Sequence, residues 1–217
     1  MFANTPEIRF KGFTEPWEQR KLGDAFTFLR NNTLSRAELS DDSGVIENIH
    51  YGDVLIKFRE CLDVQNEDIP KILDLSKVSN LKASRLQDGD IIMADTAEDE
   101  TVGKSCEIAN ILDSVVVSGL HTIPLRPKDS FASGYLGFFI NSNSFHDQLR
   151  SLMQGIKVSS ISKSALADTL IKYPASMVEQ NKIGKMFLYF DTLITLHQRK
   201  LDTLKKMKSA CLAKMFV

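Results

Sequence analysis

Toward the carboxy terminus the apolar positions fall on one repeating step. Ile183, Phe187, Phe190, Ile194, His197, Leu201, Leu204, Lys208, Cys211 and Met215 are separated alternately by four and three residues. That alternation is the a/d spacing of a helix built to lie along another helix. No proline interrupts the run, and Gly184 is its one weak helix former of that kind. Ser176 followed three residues on by Glu179 has the form of a capping box, with Pro174 just outside it. The pattern predicts one helix from about Ser176 to the end, roughly 60 Å long at 1.5 Å per residue. A globular domain of this size has no use for such a rod, so the helix reads as a spacer or a docking device. His197 and Lys208 interrupt the seam with polarity, either to fix register or to mark where a partner helix ends.

The remainder has short elements of both kinds, an α+β pattern. Residues 1–21 read as an extended arm, 22–174 as a globular domain and 175–217 as the long helix. Val54–Phe58, Asp90–Asp95, Ser114–Gly119 and His121–Pro127 read as strands from their β-branched content and turn boundaries. Two Gly-Asp pairs, Gly52-Asp53 and Gly89-Asp90, each sit before one of these runs, as turn glycines ahead of a strand do. Leu34–Leu39 is expected to form a helical turn. Tyr135–Met153 reads as a helix interrupted near Asn141–Ser144, and Ser162–Leu170 as a short helix capped by Ser162. Trp17, the only tryptophan, is read as a packing anchor.

Charge sharpens the division. Net charge is −1, but the stretch from Met177 onward carries +5 and residues 1–176 carry −6. The helix is basic and the globular part acidic, so any nucleic-acid surface on the latter must gather its cations on one face. Three cysteines at unrelated spacings, Cys61, Cys106 and Cys211, suggest a reducing, cytoplasmic setting rather than a disulfide framework. The opening residues lack the apolar core of a signal peptide, and no run approaches the roughly 18 apolar residues of a membrane span.

Most enzyme chemistry has no foothold. No Asp/Glu-x-Lys triplet is present for a metal-dependent nuclease, and no Pro-Pro-aromatic loop for an amino-methyltransferase. Gly103-Lys104-Ser105 lacks the upstream glycine of a phosphate-binding loop. No paired cysteines or histidines offer metal-ligand spacing, and His50, His121, His146 and His197 are scattered. The acidic run Asp95, Glu98, Asp99, Glu100 reads as a solvated loop rather than a cation site. Neither a catalytic residue nor a metal site is expected.

Four segments, in order, resemble one family. TPEIRFKGFTEPWEQRKLGD at the start, LQDGDIIMADTAEDETVGKSCEI with VVSGLHTIPLRP in the middle, QGIKVSSISKSALADTLIKYP after them, and the basic helix are similar to the specificity subunits of type I restriction-modification enzymes. The resemblance implies a non-catalytic subunit whose target-recognition domain reads one half of a split target in double-stranded DNA. The spacer helix would seat a methyltransferase subunit, which brings S-adenosylmethionine, so no cofactor is expected in this chain. A motor–nuclease restriction subunit would join for cleavage. The usual subunit carries two recognition domains; one domain and one helix make a half-length form. It would pair with a second copy, or with a different half-subunit, along the long helices. No membrane partner is implied.

Within the segments resembling the recognition domain, Lys57, Arg59, Arg85, Thr101, Lys104, His121, Gln154 and Lys157 lie in loops or at strand ends. They have side chains of the types that read bases and hold phosphates. Each could equally be a solvated surface residue. The competing expectation is a coiled-coil interaction or regulatory protein derived from such a subunit, without productive DNA binding.

Overall fold

The computed structural model describes residues 5–74, 76, 83–155 and 158–216. A five-stranded sheet runs through the centre of the globular part. Its strands lie in the order Phe26–Phe28, Thr122–Pro127, Ile91–Ala94, Ser105–Ala109 and Cys61–Asp63. Pairing is antiparallel except for the parallel edge between Cys61–Asp63 and Ser105–Ala109. Because strand side chains alternate in direction, Ile91, Met93, Ile123 and Leu125 fill one core while Ile92, Ala94, Cys106 and Ile108 fill another. A sheet buried on both faces needs apolar residues at every position, which is why Ile91–Ala94 is a continuous run rather than an alternating one.

Among the described residues six α-helices accompany the strands: α1 (Leu22–Ala25), α2 (Tyr51–Ile56), α3 (Tyr135–Asn141), α4 (Asn143–Arg150), α5 (Lys163–Ala167) and α6 (Met177–Met215). Side chains of α3, α4 and α5 complete the first core and Val54 of α2 joins the second. A four-stranded sheet, in the order Val115–Ser118, Ile46–Ile49, Lys71–Ile72 and Leu39–Ser40, lies beyond the second core and carries a small third one. Two ribbons close the body. Glu18–Lys21 pairs with Leu170–Tyr173, and Thr96–Ala97 pairs with Ser159–Ser160, both antiparallel.

The α+β reading holds, as do the strands predicted around Ile91, Val115 and Thr122. The helical turn appears as a 3-10 turn at Arg36–Glu38, and the predicted interruption falls at Ser142, between α3 and α4. Ser162 accepts the Ala165 amide as predicted.

One of the predicted strands is corrected. Val54–Phe58 is not a strand; its first residues belong to α2. A strand would bury Val54, Ile56 and Phe58 together, yet Ile56 is 87% exposed while Val54 and Phe58 are buried. Tyr51, Val54, Leu55 and Phe58 instead share a helical face at steps of three and four. The helix starts because the His50 imidazole Nδ1 accepts the Gly52 amide at 3.2 Å. Burial pushes the His50 pKa down, which keeps that nitrogen free to accept. Gly52-Asp53 therefore marks a helix start rather than a turn before a strand, whereas Gly89, at φ 86°, is the turn glycine predicted for its position.

The arm, body and helix are less separable than three segments suggest. The last residues of the arm form the Glu18–Lys21 strand against Leu170–Tyr173. Farther back, Arg9 donates to both oxygens of Glu179 at 2.7 and 2.8 Å, and Trp17 Nε1 donates to the same carboxylate at 3.4 Å. Glu179 is 1% exposed. The Ser half of the predicted capping box forms, with Ser176 Oγ accepting the Glu179 amide. The Glu side chain serves the arm. Trp17 also packs edge-on to Tyr135, so it anchors the arm as its composition predicted.

Candidate nucleic-acid interface and partner helix

Three of the candidate readers lie around the Thr96–Ala97/Ser159–Ser160 ribbon. Gln154 is exposed and bridges to Ser160, with backbone bonds in both directions. Thr101 is exposed in the turn between Thr96–Ala97 and Ser105–Ala109, where its hydroxyl and amide both donate to Asp99. That bonding pulls the Asp99 carboxyl below its ordinary range. His121 occupies a left-handed conformation at φ 54° in the turn after Val115–Ser118. Its Nδ1 lies 3.3 Å from Asp95 and 3.4 Å from the Thr96 hydroxyl, and the Tyr51 ring stands at right angles to it with centroids 5.2 Å apart. Asn31 donates to the Gly119 carbonyl in the same turn. Tyr51 and Asn31 were missed from the sequence; no local spacing links them to His121, and only the strand pairing brings the three together.

Four of the remaining candidates are placed elsewhere. Lys104 Nζ donates to the Leu55 carbonyl at 2.9 Å, so its charge closes the last turn of α2. Lys57 donates to the Asp68 carbonyl and lies over the Phe58 ring. Arg59 donates to the Asp191 carbonyl at 3.3 Å, which makes it a brace between the body and α6. Arg85 is exposed beside Val117, and its carbonyl accepts from Arg126. Lys157 lies outside the described residues. The structure thus gives Lys57, Arg59 and Lys104 internal partners and gathers Thr101, His121 and Gln154 near one ribbon. The acidic run is also occupied in part: Asp95 faces His121, Asp99 holds Thr101 and Glu100 lies 3.5 Å from Arg150. Among the described residues no group of three or more His, Cys, Asp or Glu side chains could hold a metal ion.

The helix α6 divides into a docked base and a free shaft. At the base, a Cβ on Gly184 would come within 2.9 Å of the Ser133 carbonyl, so the weak helix former is there to let the helix approach the turn before α3. Ile183 packs against the first core, and Phe187 meets the Phe138 ring at 5.2 Å. The first two seam positions are therefore shared with the chain's own body, which corrects the expectation of a seam reserved throughout for another helix. Beyond Asp191 the seam is bare: Ile194 is 61% exposed and Met215 74%, with Leu201, Leu204 and Cys211 also exposed. His197 and Lys208 are exposed among them. Tyr189, Leu196, Met207 and Leu212 add apolar surface off the seam. No helix among the described residues is long and apolar enough to cross a membrane, so this exposed surface is not a span.

The comparisons with known proteins agree on one family. Residues 14–206 match the model of the type I restriction modification DNA specificity domain. A curated protein of Methanocaldococcus jannaschii, provisionally named as the specificity subunit of the type I restriction enzyme MjaX, is 26% identical over 212 residues, covering 93% of this chain and 46% of that protein. The same fold occurs in the S subunit of a type I restriction-modification system from M. genitalium (TM-score 0.60, 13% identity, 100% of this chain and 49% of that one). It occurs again in the HsdS subunit from Thermoanaerobacter tengcongensis (TM-score 0.54, 17% identity, 95% and 47%). The chain spans about half the length of these relatives. With the match running from the arm through the body and along most of α6, the chain belongs to the type I restriction-modification DNA specificity domains, a family of recognition components rather than catalytic ones.

Proposed function

We propose that this chain is the sequence-reading part of a type I restriction-modification system, with the body reading one half of a split DNA target and α6 setting the distance to the second half. One observation carries the reading. A folded body ends in a 39-residue helix, about 58 Å long at 1.5 Å per residue, whose shaft carries apolar residues that the described residues leave exposed. A rigid shaft of that kind fixes a spacing, and a bare seam takes up a second helix.

The face around Thr101, His121 and Gln154, with Tyr51 and Asn31, is the part of the body offered to DNA. Side chains held by a ribbon and a turn are positioned well for groove edges. Phosphate contacts supply much of the affinity in any such complex, and the body is acidic on balance. The isolated chain should therefore bind DNA weakly and in a steeply salt-dependent way. A methyltransferase subunit bringing S-adenosylmethionine would close around the duplex, and a restriction subunit would join it. The off-seam residues Tyr189, Leu196 and Met207 give α6 more apolar surface than one partner helix covers, and they suit that docking.

The internal engagement of Lys57, Arg59 and Lys104 favours one competing reading, a pairing protein without productive DNA binding. Binding of duplex DNA by the chain together with its methyltransferase, read by mobility shift across a salt series, separates the two. Sequence-selective retention supports the recognition role. Assembly with the methyltransferase without any retention of DNA supports the competitor.

A further inference from the structure

The turn that carries His121 is fixed from beneath by buried hydroxyls. Ser118 and Thr122 have no exposed surface, and their hydroxyl oxygens lie 2.6 Å apart. Thr122 Oγ1 donates to the Gly119 carbonyl at 2.6 Å, which Asn31 also reaches at 3.1 Å. With that hydrogen spent, Thr122 accepts from Ser118. The Gly119 amide donates to the Ile49 carbonyl, the Tyr51 amide to the Leu120 carbonyl and the Asp95 amide to the His121 carbonyl. Neighbouring segments thus clamp the turn from several sides. His121 itself is held at φ 54°, a left-handed conformation that costs a non-glycine residue about 1–3 kcal/mol. No burial repays that strain, because 47% of the side chain is exposed.

The imidazole is fixed as firmly as the backbone, and in one tautomer. The Thr96 hydroxyl donates its single hydrogen to Asp95 Oδ1 at 2.7 Å. His121 Nδ1 lies 3.4 Å from that same hydroxyl oxygen and 3.3 Å from Asp95 Oδ1. Neither oxygen has a hydrogen left to give, so both neighbours of Nδ1 are acceptors and the ring hydrogen belongs on Nδ1. The Tyr51 ring, edge to face with centroids 5.2 Å apart, limits rotation of the imidazole. The consequence appears on the far side of the ring. Nε2 keeps a lone pair and no hydrogen, and no hydrogen-bond partner for it lies among the described residues.

Such a nitrogen recognises one kind of group. It accepts from an N–H and is repelled by a keto oxygen or a bare ring nitrogen, which are acceptors themselves. The N–H groups that base edges offer in a duplex are exocyclic amino groups: N6 of adenine and N4 of cytosine in the major groove, N2 of guanine in the minor groove. We infer that His121 reads the exocyclic amino group of one base in the target, with Asp95 and Thr96 as the positioning residues that fix its tautomer. The inference rests on the recognition role proposed above and adds the reading atom, the group it reads and the device that sets it. It also gives Asp95 a reason to stand on a face offered to DNA. Its charge opposes the phosphates, but it decides which ring nitrogen carries the hydrogen.

The full chain supports two tests. Nitrogen NMR of histidine-labelled protein, at mildly alkaline pH where imidazoles are neutral, should place the His121 hydrogen on Nδ1. His121→Gly identifies the signal by its loss and keeps the left-handed turn without strain. Asp95→Ala frees the Thr96 hydroxyl to donate, so the hydrogen should shift toward Nε2. An Nε2–H tautomer in the parent, or an Nδ1–H tautomer that Asp95→Ala leaves unchanged, overturns the inference.

The second test uses the chain with its methyltransferase and duplexes carrying the mapped consensus. Adenine is replaced by purine, cytosine by 2-pyrimidinone and guanine by hypoxanthine, one position at a time, so that each duplex lacks one amino group. At one position the parent's dissociation constant should rise about five- to tenfold, and this rise should be absent in His121→Gly. The analogue that does so names the base and the groove. Asp95→Ala should lose selectivity at that position without losing non-selective retention, since it removes a negative charge. If every analogue affects parent and His121→Gly alike while the parent still selects its consensus, the inference falls and the recognition role stands. If the parent retains DNA without selectivity, the recognition role falls and the inference falls with it.

Discussion

The body and the shaft of α6 use the same residue types to opposite ends. In the body, Ile91, Ile92, Met93, Ile108 and Leu125 have no exposed surface, and the sheet that carries them is covered on both faces. In the shaft, Ile194, Leu196, Leu201, Leu204 and Met207 are about half exposed or more, with nothing among the described residues to cover them. At the boundary, Gly184 lets α6 approach the turn before α3, and Arg59 braces the helix at Asp191. The comparison teaches that apolar content alone does not mark a core. Burial in the body serves folding, which a single chain completes. The apolar seam of the shaft is left exposed, which suits the association proposed for it.

The contrast can be broken most forcefully at the two ends. Ile92→Ala removes a fully buried side chain from the body and should cost about 2–5 kcal/mol, with a fall in Tm that does not depend on protein concentration. Ile194→Asp or Leu201→Asp should leave the body folded while removing about 3–5 kcal/mol from association, by placing an unpaired charge in the seam. Sedimentation at several concentrations reads the second effect, and circular dichroism melting reads the first. If Leu201→Asp lowers Tm equally at all concentrations and leaves the mass unchanged, the shaft is not an association surface.

Smaller changes sharpen the boundary. His197→Leu replaces a polar interruption of the exposed seam with an apolar side chain and should strengthen pairing through it by about 1–2 kcal/mol, seen as a higher Tm at high concentration only. A loss instead would mean that His197 makes a specific hydrogen bond across the pair. Within the body, His50 caps α2 through an unprotonated Nδ1, and burial holds its pKa below the ordinary imidazole value of about 6.5. A histidine with a lowered folded pKa contributes stability at neutral pH and loses it as pH falls through the folded value. The His50→Asn variant, which keeps an acceptor without titrating, should flatten the acid limb of the stability profile by up to about 1 kcal/mol.

Much of this arrangement was legible in the sequence where one local rule governed the outcome. The 4-3 spacing announced α6, the Ser162 and Ser176 caps marked helix starts, and the β-branched run at Ile91 announced a strand. The segment at Val54 was misread because β-branched content and helical spacing pointed in different directions there. The spacing won once His50 supplied a cap. Distant partners were illegible for a plain reason. Glu179 looked like half of a capping box, but its carboxylate is claimed by Arg9, 170 residues earlier. Lys104 and Arg59 looked like phosphate contacts because a loop cation has the same appearance whether it meets DNA or a backbone carbonyl. Tyr51 and His121 meet only through the folded sheet, and no spacing in the sequence joins them.

The central claim is the proposed one: the body reads one half of a split DNA target and α6 sets the distance to the second half, which a second copy of the chain would read. Mapping methylated positions in DNA from cells that express only this chain and its methyltransferase tests it directly. Two identical readers related by a twofold axis must read inverted copies of one half-site. The account predicts an interrupted palindrome with a fixed spacer. An asymmetric consensus would contradict the self-paired arrangement, and methylation without any consensus would contradict the reading role itself.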